Sequence, residues 1–579
     1  MFRFCSFASM FLLLAVLAVP ATTSAQSWED DIGLTMLQTM YPGADGTGMS
    51  MGQVEAPSNG AGTAFLPNPG SPEMAGKTIN DMTGGGINSS HALTVASFFA
   101  GVNTGVAPGV TDLFCYEANN YLVTHLAFGG GNPFLTNFDV ENHSWVGNGL
   151  TAGQATELLQ RNDWRVNQTN VNVVVGTGNN GSTPQLMAPG YNVISVGKTN
   201  GTGATGDTTF YGSGRQKPEL VGPTGPTSFA TGVVSGCAAI LRQEAVGTDG
   251  ENNESIKAML LAGSTKRAAW GWSRTPARPI DSVRGCGEVN VYNSYMMLLA
   301  GETDGGATMA SAPTVPLYGY DYGESIDPSG ALYYKLDVPY GAQDVNIALT
   351  WNIEVTDTNP AFPFVPATSL ANFDMEILDS SGGSVDTSVS TVNNLEHFYL
   401  PHLSPGTYTL RITSDTNQDF GLAWRADPLD EIVADSYLVT RGTYSSGDTS
   451  DLADSDNQDL SVQRNNLDVI SRVFVEFKTT APTETPTNLD LTFESSVFAR
   501  STVVQSIDLY DYDLDEWVEI DSRNATRFSD SKFTVSASGD VSRFVQPGTS
   551  CVEARVRYQS LSNRQQFTAN MDHIFWSIQ

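Results

Sequence analysis

GPTSFATGVVSGCAAIL, residues 225–241, opens with turn formers and the pair Thr227-Ser228, then runs into small and apolar residues at helical spacing. A serine in that position is either a helix cap or a nucleophile held at a helix N-terminus, where backbone N–H groups and the positive dipole end favour negative charge. Working outward, the chain from about Gly43 to Leu299 alternates short apolar strands with helical stretches. Strands are expected at 49–55, 112–116, 140–145, 171–175 and 193–196, and helices at 91–100, near 119–127, at 152–160 and after Ser228. This alternation predicts an α/β fold, a doubly wound and mostly parallel sheet.

Beyond about Ala310 the texture changes. Residues 332–338, 345–351, 373–378, 408–412 and 420–424 alternate apolar with polar, separated by turns at 380–383 and 404–406. That is the pattern of an antiparallel β-sandwich. The chain from 430 repeats the all-β texture, with Pro and Thr punctuation at 481–488 and an exposed β-face expected at 509–521. At 579 residues the chain is too long for one core. The expected organisation is a signal peptide at 1–25, an α/β domain at 26–305, a sandwich module at 310–429 and a second all-β module at 430–579.

The N-terminus carries Arg3, the apolar run MFLLLAVLAV and then Thr23-Ser24-Ala25, a secretory signal with cleavage expected after Ala25. The run is too short for a spanning helix, and no later segment is apolar enough to cross a membrane. The mature protein is therefore expected to be secreted or held at the cell surface, with no transmembrane segment. Acidic residues outnumber basic ones 62 to 29, which excludes nucleic acid as a partner. Asp-rich loops leave structural calcium open, although DLADSDNQD at 451–459 lacks the glycine and closing glutamate of an EF-hand. Four cysteines follow the signal, Cys115, Cys237, Cys286 and Cys551. A Cys237–Cys286 disulfide and buried free thiols are both open readings.

Three of the six histidines lie in the α/β segment: His91, His125 and His143. His91 opens a helix after a Gly/Ser-rich loop, a place from which a base points toward the carboxyl edge of the sheet. The other three, His397, His402 and His573, sit among apolar and aromatic neighbours and are read as structural.

The company of His91 is specific. SHALTVASFFAG resembles the HGTxVAG helix of subtilisin-like serine proteases, and GVAP at 105–108 resembles their GVAP segment. VENHSWVG at 140–147 is similar to the strand that ends in their substrate-binding Ser-x-Gly. VVVGTGNNG resembles VVAAGNxG, YNVISVG resembles xNVIxVG, KPELV resembles KPDVV, and TSFAT resembles the TSMAT around the nucleophile. Seven motifs in the family's chain order span about Gly43 to Ala262, and the resemblance makes Ser228 a nucleophile rather than a cap. It implies that Ser228 attacks the scissile carbonyl, that His91 takes and returns the proton, and that Asn179 donates to the oxyanion. Ser144, Trp145, Gly147 and Gly178 would border the substrate, a protein or peptide paired as an extended strand. No cofactor is required.

The third triad member departs from the pattern. The family's first strand ends in aspartate; here GMSMGQVEAP ends in Glu55, which lies 36 residues before His91. Glutamate can orient a histidine through one oxygen, and Asp81, placed in a loop, is the fallback. His91-Ala92-Leu93 replaces His-Gly-Thr, and Gly232 stands where the family has proline. About twenty residues separate Ala25 from the first strand, too few for a propeptide domain. These departures favour a competing class, a catalytically impaired subtilase-fold binding or adhesion protein. A sedolisin-type acid protease would need a Glu-x-x-x-Asp pair where the early helix carries His91. The 332–424 segment, with SPGTYTLRI, resembles the sandwich modules that follow the protease domain in secreted bacterial members, and by that analogy would bind substrate, a surface polymer or calcium.

Overall fold

The computed structural model describes residues 27–578 apart from 148, 181–185, 224, 324, 325, 327, 329, 339–341, 360, 361, 404, 405, 429, 430, 454, 456, 457, 466–468, 487, 488, 561, 563 and 564. The expected signal peptide, 1–25, lies outside the described residues. The chain forms two compact units. One runs to Leu336 and includes Asn346–Tyr399 and Tyr408–Arg425; the other holds Asp337–Val345, Leu400–Thr407 and Ala426–Gln579.

The first unit is built on seven strands: β1 Ser50–Glu55, β2 Thr78–Asp81, β3 Asp112–Glu117, β4 Val140–His143, β5 Asn172–Gly176, β6 Ile194–Lys198 and β7 Leu220–Gly222. Their order is β7-β6-β5-β4-β1-β3-β2, and every neighbouring pair is parallel. A parallel sheet needs cover on both faces, which is why every residue of β5 and β6 is buried. The main covering helices are α1 Ser90–Ala100, α2 Ala152–Thr169 and α3 Thr227–Ala245. Val174 of β5 shares a core with Val95 and Phe99 of α1 and Val233 of α3. Its neighbours Val173 and Val175 share another with Leu158 and Leu159 of α2. The period-2 alternation thus feeds two cores, and the sheet is doubly wound.

Three elements differ from expectation. Edge strand β2 reads TIND, short and partly exposed, so it lacks the apolar run of a central strand. α2 continues well past Gln160 because Arg161, Asp163 and Arg165 are buried by hydrogen bonding rather than hydrophobicity. Arg161 donates to the carbonyls of Leu126 and Gly131, and Asp163 accepts from the backbone of Tyr191 and Asn192. The helix expected near 119–127 is a single turn, Ala118–Asn120, followed by a π turn at Tyr121–His125. Of the two open readings for the cysteines, the free-thiol one holds. Cys115, Cys237 and Cys286 are buried and Cys551 is half-buried, and burial pushes the Cys286 thiol up to about 12.

α1 and α3 approach closely. A Cβ on Gly232 would lie 3.0 Å from the Val95 carbonyl oxygen, and one on Gly236 would lie 2.6 Å from the Val106 side chain. These glycines let the helix that carries His91 pack against the helix that begins at Ser228.

An antiparallel layer follows, most of it in the same unit. A four-stranded sheet is ordered Tyr318–Gly323, Phe420–Pro428, Ala342–Thr350, Leu395–Leu403, and a five-stranded one includes Leu332–Val338, Gly406–Ser414, Phe373–Leu378 and Ser384–Ser388. Buried polar groups of the α/β layer find partners in and beside it. Asn346 Nδ2 donates to Ser264 O (2.8 Å), Asn394 Nδ2 to Tyr191 O (2.9 Å), and Ile353 N to Asn192 Oδ1 (2.8 Å). His397 is structural, bridging Pro279 O and Asn346 Oδ1.

The second unit is all-β. One sheet has Phe567–Ile578 at its centre, between Leu460–Gln463 and Leu489–Ala499; the other is ordered Ser436–Arg441, Arg472–Thr480, Cys551–Ser560, Val503–Asp511, Glu516–Asn524. Strict alternation of buried and half-buried residues in Arg472–Thr480 and Cys551–Ser560 points Val475, Phe477 and Val556 into one core. The fold is therefore α/β followed by all-β modules. No described helix is long and apolar enough to cross a membrane.

Candidate active site

The strand order reverses direction between β1 and β4, and in open α/β sheets the crevice beyond such a switch point takes the ligand. β1 ends at Glu55, β4 leads into Ser144, β5 leads through Thr177 to Asn179, and α1 and α3 begin at the same edge. One cavity of about 370 Å³ lies there, lined by Glu55, His91, Ser144, Trp145, Asn179 and Ser228 among others. Gly147 and Gly178 lie outside this lining, next in the chain to its members Val146 and Asn179.

His91 Nδ1 stands 2.8 Å from Glu55 Oε2. The Glu55 side chain is 1% exposed and that of His91 39%. A carboxylate only accepts, so the bond assigns the proton to Nδ1 and leaves Nε2 able to accept one. The Glu55 hydrogen bond holds the His91 pKa above its ordinary value against the opposing effect of burial. Burial in turn raises the Glu55 carboxyl, with the His91 bond pulling the other way. Gln53 Nε2 donates to Glu55 Oε1 (3.1 Å) and to Ala92 O (2.9 Å), tying the carboxylate to the first turn of α1. Asp81 is the last residue of β2, not a loop residue. Its oxygens are engaged by the N–H groups of Thr83, Gly84 and Gly86, so it closes its own turn.

Ser228 is the second residue of α3, whose N-cap is Pro226 and which has no side-chain cap of its own. Asn179 fills that role from outside: its Oδ1 accepts from Thr227 N (2.7 Å) and Thr227 Oγ1 (3.2 Å). An N–H donor must meet the oxygen, so the amide orientation is fixed and Nδ2 is left as a donor. Lys198 Nζ anchors the backbone by donating to Asn179 O (3.0 Å). The Ser228 N–H belongs to the first turn, whose amides have no helical partner. Ser228 and Asn179 line the same cavity, and a backbone N–H and an amide N–H are the kind of donors that can hold an oxyanion. Ser144 holds the first turn of α3: its Oγ donates to Ser228 O (3.0 Å), and Ser228 Oγ donates to Ser144 O (3.4 Å). Among the described residues no hydrogen bond joins Ser228 to His91.

Trp145 is backed by a buried relay that the sequence did not announce. Its Nε1 donates to His143 Nδ1 (3.2 Å), His143 Nε2 donates to Glu141 Oε1 (2.6 Å), and Arg165 and Tyr121 donate to the same oxygen. Burial raises the Glu141 pKa, but the Arg165 charge and the His143 bond outweigh it and hold the carboxylate ionised. The spacing could have revealed the relay, since 141, 143 and 145, like 53 and 55, alternate onto one face of a strand. Of the other histidines in this layer, His125 packs among Tyr116, Tyr121 and Phe134, with its pKa lowered by burial to about 4.

The one described group able to share a cation is Glu302, Asp304 and Asp321, whose carboxylate oxygens lie within 4.8 Å of one another, away from the cavity lining.

No protein-family model matches the sequence, and no curated protein matches it. Among solved structures the chain is similar to the prenylagaramide maturation protease PagA, at 20% identity over 46% of this chain and 98% of that one, with a TM-score of 0.35. It is similar to tripeptidyl peptidase 2 at 12% identity over 84% of this chain and 53% of that one, with a TM-score of 0.25. It is also similar to TmCBM61, solved with β-1,4-galactotriose, at 10% identity over 25% of this chain and 91% of that one, with a TM-score of 0.18.

Proposed function

We propose that the protein is a serine endopeptidase of the subtilase type, with Glu55, His91 and Ser228 as triad and Asn179 in the oxyanion hole. The observation that carries this reading is the 2.8 Å contact of His91 with buried Glu55 in the cavity that Ser228 and Asn179 also line. The Ser228 hydroxyl turns from Ser144 O toward His91 Nε2, which takes its proton as Oγ bonds to the scissile carbonyl carbon. Ser228 N–H and Asn179 Nδ2 hold the oxyanion. His91 returns the proton to the leaving amine, giving an acyl ester on Ser228. Water, deprotonated by His91, then hydrolyses the ester and restores the serine. On this reading the chemistry uses no cofactor and belongs to a secreted or surface-held protein.

One observation favours the second reading, a subtilase-fold binding protein impaired in catalysis: the Ser228 hydroxyl rests on Ser144 O. Casein digestion by the purified protein, beside Ser228→Ala, separates the two. Hydrolysis by wild type that is absent in Ser228→Ala supports the peptidase; a folded wild type that leaves casein intact overturns it.

A further inference from the structure

The second unit has a groove of about 670 Å³ whose lining includes Phe498, Phe528, Gln463, Arg500 and Gln565. That volume lies within the roughly 300–1,000 Å³ of small-ligand sites. Phe498 is 67% exposed and Phe528 63%, although they sit beside a well-filled core. Their rings meet edge to face at 86° with centroids 5.4 Å apart, forming an open corner. Phe528 holds that position with φ at 67°, a left-handed conformation that bulky residues avoid, and its N–H is tied to Val497 O. Exposed aromatic rings fixed at a backbone cost point to a ligand rather than to packing.

The surrounding chemistry selects the ligand. Phe498 and Gln463 both stand opposite Thr568 across the ladder, so the two flank the central strand Phe567–Ile578 on one face. That strand is paired on both sides here, leaving no edge for an added peptide strand. Recognition must come from side chains: apolar ring faces, glutamine amides that both donate and accept, and one guanidinium donor. No carboxylate is among the described lining residues, while the whole chain carries a formal charge of −33, which repels a polyanion. A sugar ring presents this complement, an apolar C–H face for the aromatic ring and hydroxyls that donate and accept. We propose that this groove binds a neutral oligosaccharide, independently of the peptidase cavity.

The test is affinity electrophoresis of the full-length mature protein, as Ser228→Ala to prevent autolysis, through gels containing soluble β-glucan, xylan, galactan or galactomannan, with pull-down on insoluble cellulose and chitin. Heparin and carboxymethylated casein serve as the anionic and peptide alternatives. The expected result is retention by at least one neutral polysaccharide, weakened about tenfold by Phe498→Ala and by Phe528→Ala. Phe528→Gly removes the ring while easing the left-handed backbone, so it keeps the test valid if the alanine variant fails to fold. In the Ser228-intact protein, these variants leave casein hydrolysis unchanged. No retention by any neutral polysaccharide, retention indifferent to both phenylalanines, or Phe-dependent binding of heparin or casein alone would overturn the proposal.

Discussion

Asn179 has two tasks on two atoms, and Asn179→Asp separates them. Oδ1 caps α3 through Thr227 N–H, while in the proposed mechanism Nδ2, on a residue that lines the cavity, donates to the oxyanion. Aspartate keeps the capping oxygen, and a carboxylate at a helix N-terminus is welcome there. It removes the donor, and loss of one such donor typically lowers kcat by about 10²–10³, or roughly 2.7–4 kcal/mol of transition-state stabilisation. The negative charge beside the oxyanion pushes the loss to the upper end. Asn179→Ala loses both tasks, so its kcat falls in the same range and its stability drops by about 1 kcal/mol from the lost cap. Initial rates on a chromogenic peptide, with thermal melts of the same samples, measure both. The expected pattern is a collapsed kcat with an unchanged melting temperature in Asn179→Asp, and both lowered in Asn179→Ala. An unchanged kcat in Asn179→Asp would refute the assignment, since the substitution leaves nothing on that side chain to donate.

Because the Glu55 bond raises the His91 pKa, protonated and inactive imidazole persists to higher pH, and the acid limb of kcat/KM should lie above that of an isolated histidine. Glu55→Gln should move that limb to lower pH and reduce the plateau; a limb that stays put would separate Glu55 from the base. Asn346→Ala strands both the Ser264 carbonyl and His397 Nε2, each at about 1–3 kcal/mol, so denaturant unfolding should show a marked loss of stability. For the same reason a chain ended at residue 310 should melt without cooperativity, and a sharp transition would contradict the interlocked first unit. With the four described cysteines free and three of them buried, a thiol reagent should react slowly with those three until the protein is unfolded, and reductant should leave the melting temperature unchanged.

Much of the α/β layer was legible because its strands are apolar runs bounded by turn formers, and because seven short motifs fall in one chain order. The position of Glu55 at the end of β1 and its pairing with His91 were readable from the resemblance; the hold that Gln53 keeps on both Glu55 and the first turn of α1 was not. Asp81 read as a spare carboxylate, yet its three amide partners lie within five residues and consume it locally. The double role of Asn179 was hidden because Thr227 is 48 residues away. The interlock between layers escaped for a similar reason. Asn346 falls in an expected strand, Asn192 just before one and Asn394 in no expected element, and only the fold shows which buried backbone groups they satisfy.

The most direct measurement is fluorophosphonate labelling of the purified mature protein, with the adduct located by peptide mapping, beside Ser228→Ala and Glu55→Ala. The account predicts a single adduct on Ser228, absent from Ser228→Ala and strongly reduced in Glu55→Ala. A folded wild-type protein that takes no label, or a label on another serine, would contradict it.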